Sequence, residues 1–372
     1  MSASVANLQV SLANRTPWIH SAQIDSLFIL GPGILVTIAA LLLMHNGYGT
    51  QEVSAWQWLL LVVGVDVAHV YSTLYRTYLD REQRQALSMW LWLVPLCAWL
   101  ASMLLYTIST KLFWSVLAYT AVFHFIRQQY GFVMVYSRHD RSFPAWSRCV
   151  DQITIYTATL GPMLYWHTHE KAFTWFVDGD FISLPMWCWN VGARMYGLIL
   201  CSYVVKEIYL AGKGTAFNLP RNAMVLITAS SWYVGIVIAQ GDLVFTMTNV
   251  IAHGIPYIAL TCIYKDGEAA RMKQRSWYRG SGLLWIIGLL LIIAYLEEGM
   301  WDGFVWREHL AYFPVFDHLP HIETATLLAI VVPLLTVPQL THYILDAVIW
   351  RLRDHPEWRR NLFWNTERES QC

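Results

Sequence analysis

Four histidines sit inside long apolar runs of the chain, and each has polar neighbours at helical spacing. In the run from Val62 to Asp80, His69 follows Asp66 by three residues, and Thr73, Arg76 and Asp80 continue in steps of three or four. His124 is followed by Arg127, Gln128 and Gln129; His253 is preceded by Asn249; His342 is followed by Asp346. Residues three and four apart share one face of a helix, so each histidine has a partner beside it. An ionisable group at bilayer depth costs about 2.5 kcal/mol or more unless it is satisfied. These groups must therefore face protein, a metal or water rather than lipid. A lone intramembrane histidine is more often an interhelical hydrogen-bond donor than a ligand, but four at matched depth favour a shared site. Neutral imidazole together with carboxylate suits iron, copper, zinc or manganese, and a bound imidazole usually gives its other N–H to a carboxylate or carbonyl. His69, His124, His253 and His342 are the candidate ligands. Asp66 and Asp346 either complete the ligand set or orient the rings. Arg127 is a candidate partner for Asp66, Asp346 or an acidic lipid group, and Gln128 supports the ligands from beside them. The expected ion is a transition metal, iron first, with zinc, copper or a haem as alternatives.

The elements that must position these residues are membrane helices. The 372 residues are 56% hydrophobic and only 13% charged, with 20 tryptophans. A soluble domain is usually about 25% charged, and tryptophan concentrates at membrane interfaces. The formal net charge of +0 gives no basic field for nucleic acid. About ten stretches meet the length of a span, roughly 20 mostly apolar residues: near 26–44, 56–79, 87–107, 112–136, 150–166, 186–210, 222–239, 243–264, 281–296 and 324–350. The fifth and ninth are the shortest.

Lysine and arginine cluster in alternate connections, among them Arg81 and Arg84, Arg138 to Arg148, Lys206 to Arg221, Lys265 to Arg279, and the tail from Arg351. The intervening connections hold little beyond Lys111, Lys171 and Arg307. The positive-inside rule then predicts an all-α, polytopic helix bundle with both termini cytoplasmic. It reads as a segment 1–25, one membrane domain over 26–350 and a tail over 351–372, in a bacterial inner membrane. No cleavable leader is evident. The ligand helices are all even-numbered, so all four run the same way and their histidines overlap in depth. Gly31-Pro32-Gly33, Pro95, Gly161-Pro162, Pro256, Pro333 and Pro338 are expected to bend their spans. The aromatic connections 167–180 and 297–323 should cap the outer end; their His167, His169, His318 and His321 are weaker ligand candidates. The six scattered cysteines include no CxxC and suggest neither a disulfide framework nor a thiolate site.

The histidine boxes HxxxH and HxxHH of membrane desaturases and hydroxylases are absent from the spans. The Phe123-His124-Phe125 run and the stretch Val337-Pro-Gln-Leu-Thr-His342 are loosely similar in organisation to the Brp/Blh-type carotenoid dioxygenases. The resemblance covers a few residues and is one of design. It implies a polytopic protein holding one iron with histidines from separate helices.

The expected function is a membrane metalloenzyme, iron-dependent and oxygen-using, acting on a lipid or other apolar molecule that enters from the bilayer. Hydrolysis at zinc is open to the same residues, and any redox partner is unspecified. Two rivals use the same groups: a haem protein with axial histidines, and a proton-coupled transporter with Asp66, His69, Arg127 and Asp346 as relay or substrate residues.

Overall fold

Long apolar runs without strict two-residue alternation satisfy their backbone groups internally by forming helices. The computed structural model describes residues 17–138, 140, 144–272, 281–350 and 356–365. It is all-helical, 79% helix, with no strand among the described residues. Eight helices are long and apolar enough to cross a membrane. In chain order the helices are α1 (Ala22–His45), α2 (Ala55–Arg76), the short α3 (Arg81–Ala86), α4 (Ser88–Ile108), α5 (Thr110–Tyr136) and α6 (Ala145–Thr168). There follow α7 (Met186–Gly212), α8 (Leu219–Ile238), α9 (Asp242–Arg271), α10 (Gly282–Trp306), α11 (Ala325–Ile349) and the short α12 (Pro356–Leu362). The eight long apolar helices are those of a multi-pass membrane protein.

The two long helices outside that set, α5 and α6, have 27 and 24 residues. They are the more polar because α5 carries His124 to Gln129 and α6 carries the buried Asp151. Two boundaries differ from the sequence expectation. The ninth run continues through Glu297, Glu298 and Asp302 as helix to Trp306, so the loop expected from 297 starts later. Asp80 lies beyond the end of α2: its carboxylate caps α3 by accepting from the Gln83 N–H at 3.0 Å and pairs with Lys265 at 3.2 Å. Residues 1–16, 273–280, 351–355 and 366–372 lie outside the described residues. So do His139 and Arg141, and with them several of the basic residues used to orient the chain, Lys273, Arg275, Arg279, Arg351, Arg353 and Arg368.

Four wide, i→i+5 turns interrupt the α-helices, at Ser26–Leu30, Leu59–Val67, Tyr233–Ile238 and Asp302–Trp306. Such turns rotate the downstream residues relative to a regular helix and recur at functional sites. The one in α2 ends two residues before His69. α9 is the central element: it packs on α1, α2, α8 and α12 and is 67% buried over its most apolar window. Gly254, next to His253, makes the closest approach possible. A methyl group there would lie 2.8 Å from Val65 Cγ1 and 3.1 Å from the Val65 carbonyl oxygen on α2.

At the Lys/Arg-rich end, Lys206 and Arg221 do not face solvent as simple connection charges. Arg221 pairs with Asp140 at 2.9 Å, Glu207 at 2.5 Å and Asp151 at 3.5 Å, and Lys206 pairs with Glu207 at 2.5 Å and also with Asp151. Burial pushes the Asp140 carboxyl up, and the Arg221 guanidinium opposes that shift. Removing one partner of a buried ion network leaves the others uncompensated. Arg221→Met is therefore expected to cost about 3–5 kcal/mol in detergent unfolding. Arg271→Met, which breaks an exposed pair with Glu82, should cost less than about 1 kcal/mol. Equal effects would show that the network is not a stability element.

Candidate metal centre

α2, α5, α9 and α11 each bring one histidine to a single point in the bundle. His69, His124, His253 and His342 are 1%, 5%, 1% and 1% exposed. One ring nitrogen of each lies within 4.8 Å of those of the other three. The rings form a circuit, with centroids 4.7 Å apart for His69 and His253, 5.1 Å for His253 and His124, 4.5 Å for His124 and His342, and 5.0 Å for His342 and His69. Two facing pairs close it: Nε2 to Nε2 is 3.1 Å between His69 and His253, and 3.1 Å between His124 and His342.

The other ring nitrogens explain why Nε2 turns inward. His342 Nδ1 lies 2.6 Å from Thr73 Oγ1, Thr73 Oγ1 lies 3.0 Å from the Tyr257 hydroxyl, and Tyr257 donates to Asp346. Read back from that acceptor, each hydroxyl donates to the next. His342 must then carry its proton on Nδ1, and its Nε2 presents a lone pair. Asp346 also lies 3.9 Å from His124 Nδ1, and Asp66 lies 3.5 Å from His69 Nδ1. Where both facing rings carry their protons on the outer side, the Nε2 lone pairs at 3.1 Å point at one another and a cation would join them; His69 Nδ1 and His253 Nδ1 themselves have no hydrogen-bond partner among the described residues. Imidazole nitrogens that share an ion at about 2.0–2.1 Å stand about 3.3 Å apart in a tetrahedron and about 2.9 Å apart at right angles. The observed separation falls between those values. The donor set thus fits a first-row transition ion, and the four-histidine cluster in a membrane-type bundle is compatible with a metal site. A haem fits poorly, because rings in mutual contact leave no slot for a flat macrocycle.

The remaining sequence candidates separate. Asp346 and Asp66 stand behind the rings, on the Nδ1 side. Gln128 Nε2 donates to the His253 carbonyl at 2.9 Å, while its buried Oε1 has no hydrogen-bond partner. Arg127 is directed elsewhere: it donates to the Tyr156 hydroxyl at 2.7 Å and lies over the Tyr130 ring, rather than pairing with Asp66 or Asp346. Arg76 is fully buried, stacks over Tyr264 and donates to the Ile349 carbonyl. Asn249 spends its amide on the Phe245 carbonyl at 2.9 Å. Of the loop histidines, His167 bonds Tyr119 at 2.8 Å and His169 stacks on Tyr165. The membrane cluster is the one such group found among the described residues.

Sequence reasoning missed Tyr257, and it missed the aromatic walls: Phe125 stacks on His253 at 3.6 Å and Tyr343 on His124 at 4.7 Å. Tyr257 lies one turn past His253, a spacing that was available as a signal.

Two cavities reach the cluster from opposite ends. One, of about 850 Å³, runs along α5 from His124 to Arg138 and touches Tyr257, Tyr343 and Asp346. The other, of about 580 Å³, reaches His69 from the opposite end, past Glu52 and Asp242. Along α5, α9 and α11 the second cavity is lined by residues earlier in each helix, among them Trp114, Asp242 to Val250, and Thr336 and Gln339, and the first by later ones, among them Arg127 to Val135, Tyr257 and Leu260, and Asp346 and Ala347. The ligand helices therefore run in one direction. No family model matches the chain, and neither a curated protein nor a solved structure matches it.

Partners that fix the outer nitrogen of a ligand imidazole typically carry about 10–100-fold in metal affinity. Thr73→Val and Tyr257→Phe should each weaken metal binding by about that factor without abolishing it, as read by competition with a chelator. Undiminished affinity in both would remove the relay from the site.

Proposed function

We propose that this chain is an integral membrane metalloenzyme in which His69, His124, His253 and His342 hold one transition-metal ion. Iron is the favoured ion and oxygen-dependent oxidation the favoured chemistry. The observation that carries this reading is the convergence of four buried Nε2 groups from four separate helices. Imidazole donors suit iron, zinc and copper alike; the preference for iron rests on the resemblance in design to membrane dioxygenases. When bound, such an ion supplies redox exchange with dioxygen or, if redox-inert, Lewis acidity.

The protein's own residues do the rest. Asp66, Asp346 and the Thr73–Tyr257 pair hold protons on the outer ring nitrogens and fix the ring planes. A lipid or other apolar molecule is expected in the 850 Å³ cavity beside His124, a volume within the range of small-molecule sites. Gln128 Oε1, unpartnered at that cavity, is the acceptor available to orient it. Phe125 and Tyr343 pack directly on the rings and limit water there. Arg127 also lines this cavity, which suits an acidic group on the bound molecule better than a role at the ion.

The same reading takes α5 and α6 as spans, giving ten, with residues 26–350 as one membrane domain and both termini in the cytoplasm. Its support is the alternation of basic connections. A reporter that works only in the cytoplasm should be active when fused after Cys372; activity only of a periplasmic reporter would reverse the orientation.

A transporter is the second reading, because two cavities from opposite ends meet the same residues. One measurement separates the two. The purified protein should retain about one ion per chain. His124→Ala or His253→Ala should lose it while still inserting, and His318→Ala should not. Metal-free wild-type protein that supports solute flux in liposomes would favour the transporter.

A further inference from the structure

The cavity at the Lys/Arg-poor end is unlike its counterpart. Six carboxylates border it, from Glu52, Asp66, Asp242, Glu298, Asp302 and Glu308, and no lysine or arginine appears among the described residues that line it. They differ in exposure. Glu52 and Glu308 are exposed at the mouth, Asp242 and Glu298 are half-buried, and Asp302 is 2% exposed. Asp66, its side chain 33% exposed, lies nearest the histidines, 3.5 Å from His69 Nδ1. Along α9 the distance from Asp242 to His253 is about 16 Å at 1.5 Å per residue.

Acidic residues alone are often no more than a solvated rim. Here two deeply buried polar atoms on the cavity wall lack a partner. Asp302 accepts from the Glu308 and His309 N–H groups through Oδ1, each at 2.8 Å, while its Oδ2 is unpaired. Asn249, 6% exposed, donates its amide to Phe245 and leaves Oδ1 unpaired. Two unsatisfied oxygens and no lining lysine or arginine, in a passage that ends on an imidazole, call for a donor or a cation to complete them.

We propose that this acidic vestibule is the entry path for a divalent first-row transition-metal cation, admitted from the Lys/Arg-poor face and passed inward by Glu298, Asp302 and Asp66 to the four histidines. The inference rests on the metal-centre reading and adds to it the route and the side of loading. Carboxylate oxygens bind such ions more weakly than converging imidazoles do, so the last step, onto the histidines, is downhill. Beyond the histidines the passage changes character: the next cavity is bordered by Arg127, Arg138 and Arg359 against one carboxylate, Asp346, and the excess of arginine opposes onward movement of a cation. The ion is therefore expected to stop at the rings.

The test monitors loading of the chelator-stripped, full-length protein with Co²⁺, read by its visible absorption and by final metal content. Electrostatic funnelling raises association rates by about 10–1,000-fold and weakens with salt. Glu298→Gln, and separately the surface pair Glu52→Gln with Glu308→Gln, should load at least about tenfold more slowly than wild type at low ionic strength. All should reach the same final content, since the ligands are intact. The surface pair keeps the test sound if the buried variant fails to fold. Added salt should slow the wild type toward the variants. In vesicles of one orientation, Co²⁺ should load from the Lys/Arg-poor side. Unchanged rates in both variants, or loading only from the opposite side, would overturn the vestibule while leaving the metal centre standing. Wild-type protein that takes up no Co²⁺ would overturn the centre and the vestibule together.

Discussion

A buried polar atom must find a partner, and in a bundle of apolar helices that requirement organises everything else. Eight ring nitrogens converge where neither water nor backbone is at hand to serve them all. The outer set is served in part from behind: Thr73 accepts from His342 Nδ1, and the carboxylates of Asp66 and Asp346 stand near three Nδ1 atoms, while His253 Nδ1 has no hydrogen-bond partner among the described residues. Each such tie commits the ring's other nitrogen to the centre. For His342 the inward lone pair is thus set by a hydrogen bond outside the cluster.

Holding four rings in contact also dictates backbone features that look incidental by themselves. α9 must come close enough to α2 for His253 to face His69, and only a residue without a side chain at 254 permits that approach. The wide turn over Leu59–Val67 sets the rotation of α2 just before His69. Pro333 and the break at Thr336 divide α11 before Val337–Ile349, so the half that carries His342 takes its own direction. These three departures from a regular helix lie in helices that carry a ligand.

Much of this was legible in sequence because hydrophobic runs report helices and depth directly. The run at 243–264 and the structure's Asp242–Arg271 differ mainly at the polar end, where hydropathy fades but the helix continues. The membrane depth of the histidines followed from their place within such runs. Azimuth was harder. Arg127 follows His124 by three residues and Gln128 by four, roughly 60° to one side of the ring and 40° to the other. The long arginine side chain turns out toward Tyr156, while the shorter glutamine stays in contact with α9. Small angular differences of that kind depend on neighbouring helices and leave no trace in local spacing. Glu297 and Glu298 read as the end of a span for a related reason. Adjacent carboxylates normally mark water, and only the packed structure turns one of them, with Asp302, toward an internal passage.

On the proposed function, the opposed character of the two cavities would let one site receive both a cation and an apolar molecule. A single opening would have to be acidic enough to draw in metal and dry enough to hold hydrocarbon, and those demands conflict, because carboxylates raise the polarity that an apolar guest must displace. Here each demand has its own end of the bundle. Tyr343 borders both cavities and stacks on His124, so an aromatic ring separates the aqueous approach from the apolar one at the point where they meet. That partition needs ligand helices that all point the same way: their N-terminal halves then form one chamber and their C-terminal halves the other. Antiparallel ligand helices would mix the two sets of side chains in both chambers. Shared direction thus does more than match the depth of four imidazoles, since it lets α2 and α9 place Asp66 and Asp242 before their histidines, on the side of the acidic cavity.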